Sequence, residues 1–270
     1  MAVALLLQIS HTALAEPVRA GGTGAALGTI RLLADAYTKV DSAFSLEIVP
    51  NLGSGGGLKA LERNAIQFAV ISRPISKEEA PKGFTTIEFG RTPFVLATTR
   101  KDVPGLSLEQ IADIYMGKQT SWPDGTPIRL VLRPANDVDT AHLASFSARI
   151  KDALGVAMSR PGMVVGITDQ DSANTIARLT GGLGTSSLAL ILSEKHPIRA
   201  LAIEGVMPTA KTIADGTYPH FKSLYIVTRG NPSATVTRFI TFVRSAEGRR
   251  SLADNGYWVA DARQTAAPGQ

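Results

Sequence analysis

The chain has 270 residues, of which 44% are hydrophobic, 19% charged and 6% aromatic, with 28 Lys and Arg against 23 Asp and Glu for a net charge of +5. That apolar share supports a sizeable core in one large or two small domains, and it argues against disorder and against a coiled coil. There is no cysteine, which removes disulfides, thiolate zinc sites and cysteine nucleophiles, and the basic surplus is spread out rather than gathered into a run that would hold nucleic acid.

In chain order, the apolar run Ala2 to Leu7 precedes Ala13-Leu14-Ala15, the small-x-small pattern of a signal-peptidase site. The expectation is a signal peptide at 1–15 and a mature, exported chain from Glu16. No basic region precedes the run, so a start upstream of Met1 is left open; a buried first helix or strand is the alternative. No later segment has about 18 unbroken apolar residues, the length of a membrane span.

Ala26 to Lys39 reads as a helix, because Leu27, Ile30, Leu33, Ala34 and Tyr37 recur at helical spacing. Leu46 to Pro50 and Phe68 to Ile71 read as buried strands, with a short helix from Gly57 to Arg63 between them. Phe94 to Thr99 is a strand. Ser107 is placed to cap a helix running through Tyr115. Ile128 to Leu132 is a strand and Thr140 to Leu154 a helix. Ile198 to Ile203 and Leu224 to Thr228 are strands, and Ser233 to Arg244 and Ala246 to Asn255 are closing helices, the second ended by Gly256. Alternating apolar runs and amphipathic stretches define an α/β chain.

Three Gly/Ser/Thr-rich segments stand just before expected helices: Gly21 to Gly24, Gly53 to Gly57, and Arg133 to Thr140. A helix start leaves N–H groups unpaired and carries a partial positive charge, so converging helix starts suit a small oxyanion. Arg133, at the end of an expected strand, adds a fork of charged donors. Each loop taken singly is also an ordinary turn, Asp139 or Thr140 an ordinary N-cap, and Arg73 a surface or salt-bridged arginine. Enzyme motifs are missing. Leu27 stands where a dinucleotide fingerprint needs glycine, and there is no G-x-S-x-G elbow, Walker lysine loop or Ser-x-x-Lys pair. None of His11, His142, His196 and His220 lies at metal-ligand spacing from another, and no cofactor is expected.

Several strings carry a resemblance. They are Gly53-Ser54-Gly55-Gly56-Gly57-Leu58-Lys59-Ala60-Leu61; Ser72-Arg73-Pro74-Ile75; Leu108-Glu109-Gln110-Ile111 leading to Tyr115-Met116-Gly117-Lys118 and Trp122; Gly182-Leu183-Gly184 with Ser187-Leu188-Ala189; and Glu204-Gly205-Val206 through Pro208-Thr209 to Ile213-Ala214-Asp215-Gly216-Thr217-Tyr218-Pro219. With these, the chain resembles the phosphate-binding proteins of bacterial phosphate ABC transporters, within the periplasmic binding-protein superfamily, from about Arg19 to Val259. The resemblance implies two α/β lobes joined by two crossover hinge strands, one at Phe94 to Thr99 and one near Ile203. Lobe one would comprise 16–95 and 205–270, and lobe two 96–204. It implies a periplasmic, non-enzymatic protein that takes a small phosphate-like oxyanion to ABC permease subunits; a monomer is the default expectation, since no assembly motif is evident, and no nucleic-acid partner is expected. It implies ligand contacts from Thr23, the N–H of Gly24, Ser54, Gly55, Ser72, Arg133 and Thr140.

The third loop departs from the family pattern. Where the family reads Arg-x-x-x-Ser-Gly-Thr, this chain is one residue longer and carries Asp137 and Asp139. A carboxylate there would accept a proton from a protonated oxyanion and repel a fully ionised one, so Asp139 joins the expected site. Three readings stay open at this point: uptake of phosphate or a like anion, sensing or binding of another anion or organic acid on the same fold, and an exported phosphate-ester hydrolase.

Overall fold

The computed structural model describes residues 16–260; the expected signal peptide at 1–15 lies outside the described residues. The first part runs β1 Val18–Gly22, α1 Gly24–Tyr37, β2 Leu46–Val49, α2 Gly53–Glu62, β3 Phe68–Ile71 and β4 Phe84–Thr98. The middle part runs β5 Gly105–Leu106, α3 Leu108–Met116, β6 Arg129–Leu132, α4 Val138–Ala144, α5 Ala148–Ser159, β7 Val164–Val165, α6 Asp169–Arg178, β8 Gly182–Ser187 and α7 Leu188–Ser193. The chain closes with β9 Arg199–Ala200, β10 Ala202–Ile203, α8 Ala210–Ala214, β11 Phe221–Arg229, α9 Ala234–Val243 and α10 Ala246–Asp254.

Two α/β lobes share one continuous path of pairing, in the order β2-β1-β3-β11-β4-β8-β6-β7. β1 lies parallel to β2 and β3, and β6 lies parallel to β7 and β8. The long strand β4 joins the halves. Its first part, through Pro93, pairs antiparallel with β11, and its end, from Phe94, pairs with β8 and β9. The second crossing is made by β11 beside it, where Phe221 faces Pro93 and Lys222 faces Thr92. Val206, Ile213 and Tyr218 pack with Phe94 and Ile111 in the core of the second lobe, and the Tyr218 hydroxyl donates to the Phe94 carbonyl at 2.8 Å. The stretch from Val206 to Tyr218 is thus packed against the end of β4 and α3.

Several expectations hold at residue level. β3 is Phe68–Ile71, and Ser107 caps α3 in a reciprocal box with Gln110. Ser233 and Ser245 cap the closing helices, and Gly256 follows them at φ 77°. Others shift for local reasons. The helix expected at 140–154 is two, because Ser147 turns extended and caps a new one with its hydroxyl. α2 begins at Gly53 rather than Gly57, although glycine is a poor helix former. A Cβ on Gly57 would stand 2.9 Å from the Gly22 Cα, so bare backbone is what lets α2 lie directly on β1. The strand expected at 198–203 is split between two sheets, β9 on β4 and β10 on β5. Among the described residues no helix is long and apolar enough to cross a membrane.

Candidate ligand-binding site

Five loops meet at the carboxyl ends of parallel strands, where open α/β sheets collect their ligand contacts. β1 leads to Thr23 and Gly24, β2 to Asn51 through Gly55, β3 to Ser72 and Arg73, β6 to Arg133 through Asp139, and β7 to Ile167 through Gln170. Together they line a cavity of about 370 Å³. Seven of the eight residues expected from sequence line it: Thr23, Gly24, Ser54, Gly55, Ser72, Arg133 and Asp139. Thr140 does not. Its hydroxyl donates to the Pro134 carbonyl at 2.8 Å and so holds the loop that carries Arg133.

The first lobe supplies its wall from backbone and hydroxyls. Gly22 sits at φ 144°, and a Cβ there would lie 1.9 Å from the Val70 carbonyl oxygen; only glycine lets β1 end against β3 and turn into α1. Thr23 is the N-cap of α1 in extended conformation, yet its hydroxyl caps nothing, and Leu52 at the start of α2 offers no side-chain cap either. Both helices thus present open N–H groups. Ser54 and Ser72 are buried and linked: the Ser72 N–H donates to Ser54 Oγ at 3.1 Å and the two hydroxyls are 3.3 Å apart. Arg73 reaches the cavity, but its guanidinium makes a two-pronged pair with Glu79 at 2.7 Å. That pair holds the Glu79 carboxyl down at about 2.

The second lobe supplies ions. Arg133 is 6% exposed. Its Nη2 meets Asp137 Oδ2 at 2.9 Å, and its Nη1 donates to the Gly166 carbonyl at 2.9 Å. Asp137, not Asp139 or Thr140, caps α4, by accepting the Asp139 N–H at 2.8 Å. Asp139 is buried and ion-paired with Lys222, a fully buried lysine of β11. Lys222 Nζ also stands 3.7 Å from Asp169 Oδ1. Burial pulls both Arg133 and Lys222 down, and the surrounding Asp137, Asp139 and Asp169 carboxylates outweigh it, so both cations stay above their ordinary values. Arg133 is therefore at the site but already engaged.

The two lobes touch here. Gln170 Nε2 donates to the Gly24 carbonyl at 3.1 Å and to Glu194 Oε1 at 2.9 Å. A Cβ on Gly24 would lie 2.7 Å from Asp169 Oδ2, so α1 begins directly against α6. Sequence reasoning missed Lys222 and Asp169. Strand alternation was the available signal for Lys222, which shares the buried side of β11 with Leu224 and Ile226. For Asp169 it was the cap Thr168 followed by Asp169 and Asp171 in a first helical turn.

The PBP superfamily domain matches residues 9–247, and the chain belongs to that family. Its resemblance to the phosphate-binding proteins holds at chain level. It is 25% identical over 217 residues to the phosphate-binding protein PstS of Bacillus subtilis (strain 168), covering 76% of this chain and 68% of that protein. It is 24% identical over 261 residues to protein SphX of Synechococcus elongatus, covering 87% of this chain and 75% of that protein. In fold it matches a Clostridium perfringens chain crystallised with bound phosphate, with a TM-score of 0.76 at 21% identity, over 91% of this chain and all of that one.

Proposed function

We propose that the protein is a periplasmic solute-binding protein that captures a small phosphate-like oxyanion between its lobes and carries it to the permease subunits of an ABC transporter. It acts as a monomer after removal of residues 1–15, and its role is binding rather than catalysis. The observation that carries this reading is the convergence of five strand-end loops, from both lobes, on one polar cavity with two uncapped helix starts. The names of the curated relatives and the family membership support phosphate as the reference ligand. We place lobe one at 16–93 and from 221 onward and lobe two between them, with hinges at the β4 crossing and at His220 to Lys222. Thr23, the N–H groups of Gly24 and Gly55, Ser54 and Ser72 hold the oxyanion. Arg133 supports the opposite wall, and Thr140 positions it.

Titration calorimetry of the mature chain with phosphate and sulfate tests the reading. Saturable binding of phosphate or a phosphorus oxyanion, weakened by Ser54→Ala, is expected. Absence of heat with every phosphate, phosphonate and sulfate tried would overturn it. A second reading, a sensor or carrier of another anion or organic acid, draws support from the Arg133–Asp137 pair, which leaves the arginine already neutralised.

A further inference from the structure

The charges around the cavity do not suit a bare anion. The second-lobe side of the cavity holds three carboxylates, Asp137, Asp139 and Asp169, against Arg133 and against Lys222, which reaches Asp139 and Asp169 from the hinge strand β11. The first-lobe wall has one arginine, Arg73, and Glu79 neutralises it. Among the described residues lining the cavity, no cation is left unpaired. A doubly charged oxyanion entering this space meets open N–H groups and hydroxyls on one side, and one carboxylate in excess on the other.

Two side chains that face the cavity make no direct hydrogen bond. Thr23 is 4% exposed, lines the cavity, and its hydroxyl makes no cap hydrogen bond. Asp169 is 9% exposed, also lines the cavity, and its nearest cation, Lys222 Nζ, is beyond hydrogen-bond range at 3.7 Å. The first is a donor on the side of the helix starts, and the second is an acceptor on the side of the excess charge. A largely buried carboxylate whose one ion pair is long, and which accepts no direct hydrogen bond, gains from a charged donor placed within hydrogen-bond distance. The cavity, about 370 Å³, also falls in the range of about 300–1,000 Å³ typical of pockets for organic small molecules.

Resting on the oxyanion-binding reading above, we infer that the ligand is a small zwitterion, an oxyanion joined through a short carbon link to an ammonium group, with the oxyanion on the open starts of α1 and α2 beside Thr23 and Ser54 and the ammonium donating to Asp169. Such a ligand brings the cation that the walls do not provide. It satisfies Asp169, cancels the excess charge of the second lobe, and keeps the oxyanion on neutral donors. The same chemistry is offered by an aminoalkylphosphonate and by a short amino acid with a carboxylate head, and the two differ only in the anionic end.

The test is titration calorimetry of the mature wild-type chain with four probes: phosphate, ethylphosphonate, 2-aminoethylphosphonate and β-alanine. The expected result is that 2-aminoethylphosphonate binds at least about tenfold tighter than ethylphosphonate, the worth of one charged hydrogen bond. Asp169→Asn should remove that preference, leaving 2-aminoethylphosphonate and ethylphosphonate bound with equal affinity. If β-alanine binds tightest, the zwitterion stands with a carboxylate head. If phosphate or ethylphosphonate binds as tightly as the aminophosphonate, the inference is overturned and the oxyanion reading survives. If no phosphorus ligand and no β-alanine binds, both fall. The wild-type comparison decides the matter even if Asp169→Asn fails to fold.

Discussion

The two walls of the cavity are built from different materials. The first lobe offers glycine backbone, hydroxyls and two helix starts with no side-chain cap. The second offers helix starts that are already capped, by Asp137 on α4 and Thr168 on α6, and four buried or half-buried ions, with Lys222 of the hinge strand as a fifth beside them. An open helix start is a fixed, preorganised donor that costs nothing to keep empty beyond its exposure to water. A buried ion cluster is stable only while each charge has its partner. The contrast teaches that, on the proposed reading, one wall receives an anion and the other disfavours an unaccompanied one.

The sharpest way to break the first wall is Gly22→Ala. Its methyl would lie 1.9 Å from the Val70 carbonyl in a backbone conformation open only to glycine, so a loss of more than about 5 kcal/mol, or failure to fold, is expected by urea denaturation. A near-wild-type midpoint would show that β1 and β3 do not pack as described.

The second wall breaks at Lys222. Lys222→Met leaves Asp139 and Asp169 buried without their cation, a change worth about 3–5 kcal/mol at neutral pH. The pH dependence follows from the sign of the change. Keeping a buried carboxylate ionised without its cation is what costs stability, so the variant's deficit is smallest in acid and grows as pH rises. Thermal melts from pH 4 to 8 should show the gap to wild type widening upward. A gap independent of pH would mean that lost packing, not charge, is responsible. The double variant Lys222→Met with Asp139→Asn should recover most of the loss.

A smaller effect separates the walls most usefully. Glu79→Gln releases Arg73 from its pair without touching the second lobe. Bare phosphate should then bind about tenfold tighter, the gain from one charged donor. Stability should fall by only about 1 kcal/mol because the pair is partly exposed. In the wild type that contribution is present above the usual carboxylate range and disappears as pH falls through about 2, where Glu79 titrates. Unchanged phosphate affinity in calorimetry would remove Arg73 from reach of the ligand.

Much of the fold is written in local signals. The apolar run 68–71 and the Ser107 cap define their elements without help from the rest of the chain. Where local signals mislead, a tertiary contact explains it. The glycines at the start of α2 read as a loop until β1 lies beneath them. β1 itself, ending in Gly21-Gly22, has no alternation to mark it as a strand. At the site, loops rich in Gly, Ser and Thr were legible because their chemistry is local. The Lys222–Asp139 pair was not, since it joins residues 83 apart in the chain. Arg133 lines the cavity, but its engagement by Asp137 depends on the N-cap geometry of α4 that only the folded loop shows.

The most direct test is a crystal structure of the protein soaked with 2-aminoethylphosphonate. The account predicts the phosphonate oxygens within hydrogen-bond distance of Thr23, Ser54 and the N–H groups at the starts of α1 and α2, with the ammonium against Asp169. A phosphonate seated instead on Arg133, with Asp137 displaced from it and α1 and α2 left untouched, would contradict it.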